Sequence, residues 1–189
     1  MEYILIIELC ILIAAVLIRS VILWKNGINA IVFGVTDKTD YILIPVVLSF
    51  FYALIAPIFN FPFPVILKNS FWNIDVLNWF AIVICTISLV WFIFTLKIFG
   101  DSFRVGIDEK TKDKLIVKGT FAFSRNPIYM GIIVFFFGFF LQYPTIVTGV
   151  FLIFMIIMTN RQILQEEKFL KSHYGEEYEE YSANVRRYI

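Results

Sequence analysis

Residues 126–160 read NPIYMGIIVFFFGFFLQYPTIVTGVFLIFMIIMTN, 35 residues without a charged side chain. A spanning helix needs about 20 mostly apolar residues, so this run is too long for one crossing and slightly short for two. Gln142-Tyr143-Pro144-Thr145 is the polar break inside it. The reading is a tight hairpin of two short helices, about 127–141 and about 145–160, in a bilayer thinned locally to match.

Further charge-free runs precede it. Residues 3–24 make a first span, with Glu8 near its start and Arg19 near its end; Glu8, the one acid well inside a span, reads as interfacial. A second span lies within 41–67, where Pro57, Pro62 and Pro64 predict that regular helix stops near Ile55. A third is 76–96. The expected fold class is therefore all-α, a polytopic membrane protein of about five transmembrane helices. Its last two form the hairpin, and a cytosolic helix comes after them. Composition agrees. Of 189 residues, 60% are hydrophobic and 16% charged, with a mean hydropathy of +0.82. Globular chains run at roughly 45–50% apolar and about 25% charged, and a small soluble domain could not bury the excess.

Charge sets the expected orientation. The polar segment 97–125 carries seven Lys and Arg, the tail after 160 five more, and the first loop Lys25 and Lys38; the opposite side holds Lys68. That places the N-terminus outside and the C-terminus in the cytosol, in the plasma membrane of a prokaryote or the endoplasmic reticulum of a eukaryote. A net charge of +1 gives no support to a nucleic-acid partner. Cys10 and Cys85 lie in apolar runs, and the single His173 cannot build a metal site alone.

Polar punctuation is concentrated after Lys97, which divides the chain into three N-terminal helices (1–99) and a region that could carry chemistry (100–189). The latter comprises the loop 100–126, the hairpin 127–160 and the tail 161–189. Residues 108–114 read as a solvated charged turn. Asn126 is a good N-cap and Pro127 a good first helical residue, so the fourth span starts there. A helix N-terminus attracts an anion, and Arg125 adds a two-pronged donor. The plainer reading has Arg125 and Tyr129 anchoring the helix at the headgroup layer. In the tail, Glu166 and Glu167 sit about one turn beyond the bilayer. Gly175 ends a helix, and Tyr174, Tyr178 and Tyr181 share one face of a short amphipathic helix suited to the membrane surface.

Lys118-Gly119, then Ser124-Arg125-Asn126-Pro127-Ile128-Tyr129-Met130-Gly131, then Glu166-Glu167, then Tyr174 to Tyr181, then Val185-Arg186-Arg187 succeed one another in a familiar order. The region 100–189 resembles the isoprenylcysteine carboxyl methyltransferase and phospholipid N-methyltransferase group of integral-membrane enzymes. The resemblance implies methyl transfer from S-adenosylmethionine, leaving S-adenosylhomocysteine, to a lipophilic or lipidated acceptor reached from the membrane lipid. It implies no metal. Carried over by position, Leu115, Val117 and Gly119 would line the cofactor's loop wall. Arg125, Asn126 and Tyr129 would face its amino-acid end, and Glu166 and Glu167 would hold its ammonium or hydroxyls. Arg161 and Glu167 would also serve catalysis: Arg161 would orient a carboxylate acceptor, and Glu167 or its neighbour Glu166 would accept the proton of an amine acceptor. Two departures stand out: many carboxyl methyltransferase relatives have His in place of Asn126, which cannot titrate near neutrality, and Pro in place of Thr120.

Other classes make different demands. A non-catalytic membrane scaffold or assembly protein that keeps the fold would bind no cofactor. A transporter would need ionisable groups along its last spans, which have none. A sterol-reductase-like enzyme shares an R-x-P-x-Y stretch but has more spans.

Overall fold

The computed structural model describes residues 2–28, 41–102 and 115–189. Among them are seven helices and no strand: α1 (Glu2–Lys25), α2 (Leu43–Ile55), the single turn α3 (Val65–Lys68), α4 (Asp75–Phe99), α5 (Pro127–Gln142), α6 (Ile146–Tyr174) and α7 (Glu176–Asn184). Lys38 and the charged stretch 104–114, which contribute to the expected orientation, lie outside the described residues.

The protein is all-helical, and α1, α4 and α6 are long and apolar enough to cross a membrane. Helices α2 and α5 are apolar but have only 13 and 16 residues. Pro57 comes just after the last turn of α2, which stops at Ile55. The hairpin turn falls at 143–145. There Thr145 caps α6 by accepting from the Thr148 amide at 3.3 Å, while the Thr148 hydroxyl accepts from the Thr145 amide at 3.1 Å. The second arm of the hairpin continues into the tail as one helix, as the helical texture of 161–172 leads one to expect. It runs unbroken for 29 residues to Tyr174, because no Pro or Gly interrupts residues 150–174. At about 1.5 Å per residue that is roughly 44 Å, beyond the ~30 Å hydrocarbon core, so α6 carries its last turns out of the bilayer.

Helices α4 and α5 form the most extensive contact. Glycines on α5 let the backbones close. A Cβ at Gly138 would stand 2.6 Å from Cys85 Sγ and 3.1 Å from the Ala81 carbonyl oxygen; one at Gly131 would stand 3.3 Å from Phe92 Cβ. At that approach α4 side chains reach α5 carbonyls: Ser88 Oγ donates to Gly131 (2.5 Å), Trp91 Nε1 to Pro127 (2.9 Å) and Cys85 Sγ to Phe135 (3.3 Å). Close packing plus polar bonds substitutes for a hydrophobic drive that lipid cannot supply. Beside this pair, Phe50 of α2 stacks on Phe151 of α6 at 3.9 Å and meets Phe136 and Phe139 of α5.

Glu8 corrects an expectation. It is not an interfacial side chain: it is buried between α1 and α4 and accepts a 2.5 Å hydrogen bond from Thr86 Oγ1. An acid surrounded by apolar side chains needs a donor, and the neighbouring helix supplies one.

Candidate functional site

The polar residues after Lys97 converge where α5 begins. Pro127 occupies the first turn of α5, where its missing N–H costs nothing. Asn126 stands at the N-cap position, but its side chain does not cap. Its amide Nδ2 instead donates to the Arg187 carbonyl at 3.1 Å and reaches Glu167 Oε1 at 3.5 Å. The chain's own tail thus engages the side chain expected to cap the helix. Segment 185–188 lies along 124–126: the Arg125 amide donates to the Arg186 carbonyl at 3.0 Å, and Ser124 Oγ to the Arg187 carbonyl at 3.3 Å. Tyr188 Oη pins the strap further along by donating to Asn160 Oδ1 at 2.5 Å.

Glu167 is the hub. Arg125 Nη2 meets its Oε1 at 2.9 Å, while Arg187 Nη2 and Nε meet its Oε2 at 2.7 and 2.9 Å. The Arg125 and Glu167 side chains are 14% and 12% exposed, so water screens this contact little. Arg125 Nη1 also donates to the Ser182 carbonyl of α7 at 3.2 Å. Glu166, the next residue, is met differently. Tyr129 Oη donates to its Oε1 in a short hydrogen bond, and Gln162 Nε2 donates at 3.0 Å. One acid is held by two guanidiniums, its neighbour by neutral donors.

Helix α7 walls the cluster, and here a second expectation fails. Tyr178 and Tyr181 do not lie on a membrane surface; both are buried in the protein, where α7 folds back after Gly175. Tyr181 Oη donates to the Phe121 carbonyl at 2.7 Å, tying α7 to the 3₁₀ turn 119–122. Burial pushes the Tyr178 hydroxyl up to about 12, with Glu167 adding to the shift and Arg125 and Arg187 opposing it. Burial raises Tyr181 as well. At neutral pH both are protonated donors.

Leu115, Val117 and Gly119 lead into the 3₁₀ turn that Tyr181 meets. Gly119 has φ +65°, and a Cβ there would lie 2.4 Å from Ile98 Cδ1, so the turn presses directly on the end of α4. Leu115 is half-buried and Val117 exposed. Arg161 is half-buried on α6, next to the Asn160 that receives Tyr188. The structure thus gathers Arg125, Asn126, Tyr129, Glu166 and Glu167, with Leu115, Val117 and Gly119 upstream and Arg161 along α6. It adds Ser124, Gln162, Tyr178 and Arg187, which the sequence reading gave no role. Arg187 was within reach: two adjacent acids near the membrane call for cations, and Arg186-Arg187 is the nearest basic pair in the tail.

Three polar atoms here are buried with no hydrogen-bond partner among the described residues: Arg125 Nε, Tyr178 Oη and Thr120 Oγ1. Buried donors are rarely left unmet, so the cluster has capacity for a ligand bearing acceptor oxygens. Glu166 offers the complementary acceptor for a hydroxyl or an ammonium. Among the described residues no group of three or more His, Cys, Asp or Glu side chains could hold a metal ion.

A family model described as phospholipid methyltransferase matches residues 76–177, from the start of α4 to the start of α7. No curated protein and no solved structure matches the chain.

Proposed function

The chain belongs to the phospholipid methyltransferase family of membrane proteins, and from that premise we propose that it moves a methyl group from S-adenosylmethionine to a lipophilic acceptor at the cytosolic boundary of its membrane. The observation that carries this reading is the composition of the cluster. Two donors without partners among the described residues, Arg125 Nε and Tyr178 Oη, belong to the same cluster as Glu166, a carboxylate whose bonding groups are neutral. A cofactor with a carboxylate at one point and an ammonium and hydroxyls at others suits that set.

When bound, S-adenosylmethionine supplies an electrophilic methyl on a sulfonium. The protein itself adds alignment and a nucleophile stripped of water. Arg125 and Asn126 face the cofactor's carboxylate, and Tyr129 holds Glu166 in place. Glu166 receives the proton of an amine acceptor; Arg161 orients a carboxylate acceptor. Glu167 acts by fixing Arg125 against Arg187. Leu115, Val117 and Gly119 form the loop wall. Regions 1–99 and 100–189 divide the work: the three N-terminal helices, with the hairpin 127–160, shape a lipid-open cavity, and the region 100–189 binds the cofactor.

Calorimetry of S-adenosylhomocysteine with the detergent-purified protein tests the site. Wild type binds saturably. Arg125→Ala and Glu166→Gln weaken binding by about ten- to a hundredfold, the size of a lost charge-assisted hydrogen bond. Transfer of labelled methyl from S-adenosylmethionine to an amine phospholipid or an isoprenylcysteine ester precursor then identifies the acceptor. Folded protein that binds no cofactor in added lipid would favour the scaffold reading.

A further inference from the structure

The second apolar stretch, 41–67, is not a continuous helix. Helix α2 has 13 residues, about 20 Å of rise, and leaves roughly 10 Å of a ~30 Å hydrocarbon core uncrossed. Irregular chain, residues 56–64, comes next, and then the one-turn α3. This segment lies at the end of the molecule opposite the Arg125–Glu167 cluster. It carries no charge before Lys68, yet Ile58, Phe59, Phe61, Val65 and Ile66 point outward, between 48% and 73% exposed.

Irregular chain in hydrocarbon is ordinarily forbidden, because its amides find no partner. Here the amides are accounted for in an unusual way. Pro57, Pro62 and Pro64 have none. Ala56 donates to the Tyr52 carbonyl, Ile58 and Phe59 both to Ile55, and Phe61 to Ala56, all at 2.8–3.1 Å. Of residues 56–64 only Asn60 and Phe63 are left without a described backbone acceptor. Asn60 takes φ +55° at the reversal, a conformation that asparagine tolerates better than most residues. Tyr52 Oη closes the loop by donating to the Pro62 carbonyl at 2.7 Å. Phe59 and Phe61 stack at 5.9 Å on the outside.

Such a loop suits a medium with little water: most of its amides are absent or met within the loop and its aromatic side chains turn outward, with the exposed Asn60 at the reversal as its polar tip. At the start of α4, Val76, Trp79 and Phe80 are exposed as well. We propose that residues 56–66 are a lipid-inserted loop whose partner is the acyl chains of the leaflet opposite the site. The loop completes the crossing that α2 begins, and Lys68 marks the headgroup level.

Site-directed spin labelling in phosphatidylcholine vesicles tests this on the full chain. Cys10 is replaced by Ala, and buried Cys85 is kept and checked for non-labelling in that parent. Labels go on Phe59→Cys, Ile66→Cys and, as the boundary reference, Lys68→Cys. The ratio of oxygen to nickel-complex collision rates should exceed one at 59 and 66 and fall below one at 68. Nickel collisions dominating at 59 and 66 would overturn the proposal in favour of a water-exposed loop. Immobile labels shielded from both reagents would overturn it in favour of a covering protein, including a second copy. Two positions are used so that one poorly tolerated substitution does not leave the test undecided.

Discussion

The α4–α5 contact and the cluster at the foot of α5 lie on the same helix and are held together by different forces. Along the contact, glycines and van der Waals proximity set the geometry, with α4 side chains reaching α5 carbonyls where the backbones come close. At the foot, two guanidiniums, one carboxylate and the backbone of the tail set it. The first arrangement tolerates no added volume and is indifferent to salt. The second leaves a polar atom on Arg125 and on Tyr178 without a partner among the described residues, which the packed pair does not. One helix serves as rigid scaffold for most of its length and carries, at its first turn, the polar cluster proposed to bind the cofactor.

The contrast can be broken most sharply at Gly138. Gly138→Val puts a branched side chain where a Cβ alone already falls 2.6 Å from Cys85 Sγ. It should cost about 3 kcal/mol or more, and both the thermal midpoint in detergent and cofactor binding should collapse. An unchanged midpoint would mean that α4 and α5 do not pack as described. Tyr181→Phe is a smaller probe on the other side. It removes the bond to the Phe121 carbonyl and leaves that acceptor buried, an effect of roughly 1–2 kcal/mol. Cofactor affinity should fall along with the midpoint, since α7 and the 119–122 turn would loosen together. Lys171→Ala is the smallest. The Lys171–Glu179 pair at 2.9 Å has side chains 66% and 57% exposed. Its loss should change the midpoint by less than about 0.5 kcal/mol and leave cofactor affinity alone. A large effect there would show that ion pairs outside the cluster matter as much as those within it.

Most elements of this fold could be read from short-range pattern. Span 3–24 corresponds to Glu2–Lys25 and span 76–96 to Asp75–Phe99, because about 20 mostly apolar residues have few alternatives. Pro57, Pro144 and Gly175 stand just past three helix ends, where local backbone chemistry decides. Long-range partners that pre-empt local ones could not be read. Asn126 has every local reason to cap α5, yet the tail carbonyl of Arg187, 61 residues later, takes its amide. Tyr178 and Tyr181 have the spacing of a surface helix, and nothing nearby in sequence reveals that α7 folds back against 119–126. Glu8 finds Thr86 only because α1 and α4 run side by side. The candidate site was legible as a set of residue types in order; its internal pairing was not, since Glu167 and Arg187 are joined by topology rather than by period.

The strap formed by residues 185–188 has a consequence for how the protein is made. A chain is made from its N-terminus onward, so α1 to α5 can enter the bilayer before Arg186 and Arg187 are free to fold back. Until those residues arrive, Glu167 has a single guanidinium, and the Arg125 amide and Ser124 hydroxyl lack their backbone partners. The Arg125–Glu167 cluster is therefore completed after the helices beneath it, by a few residues that close over a scaffold already in place.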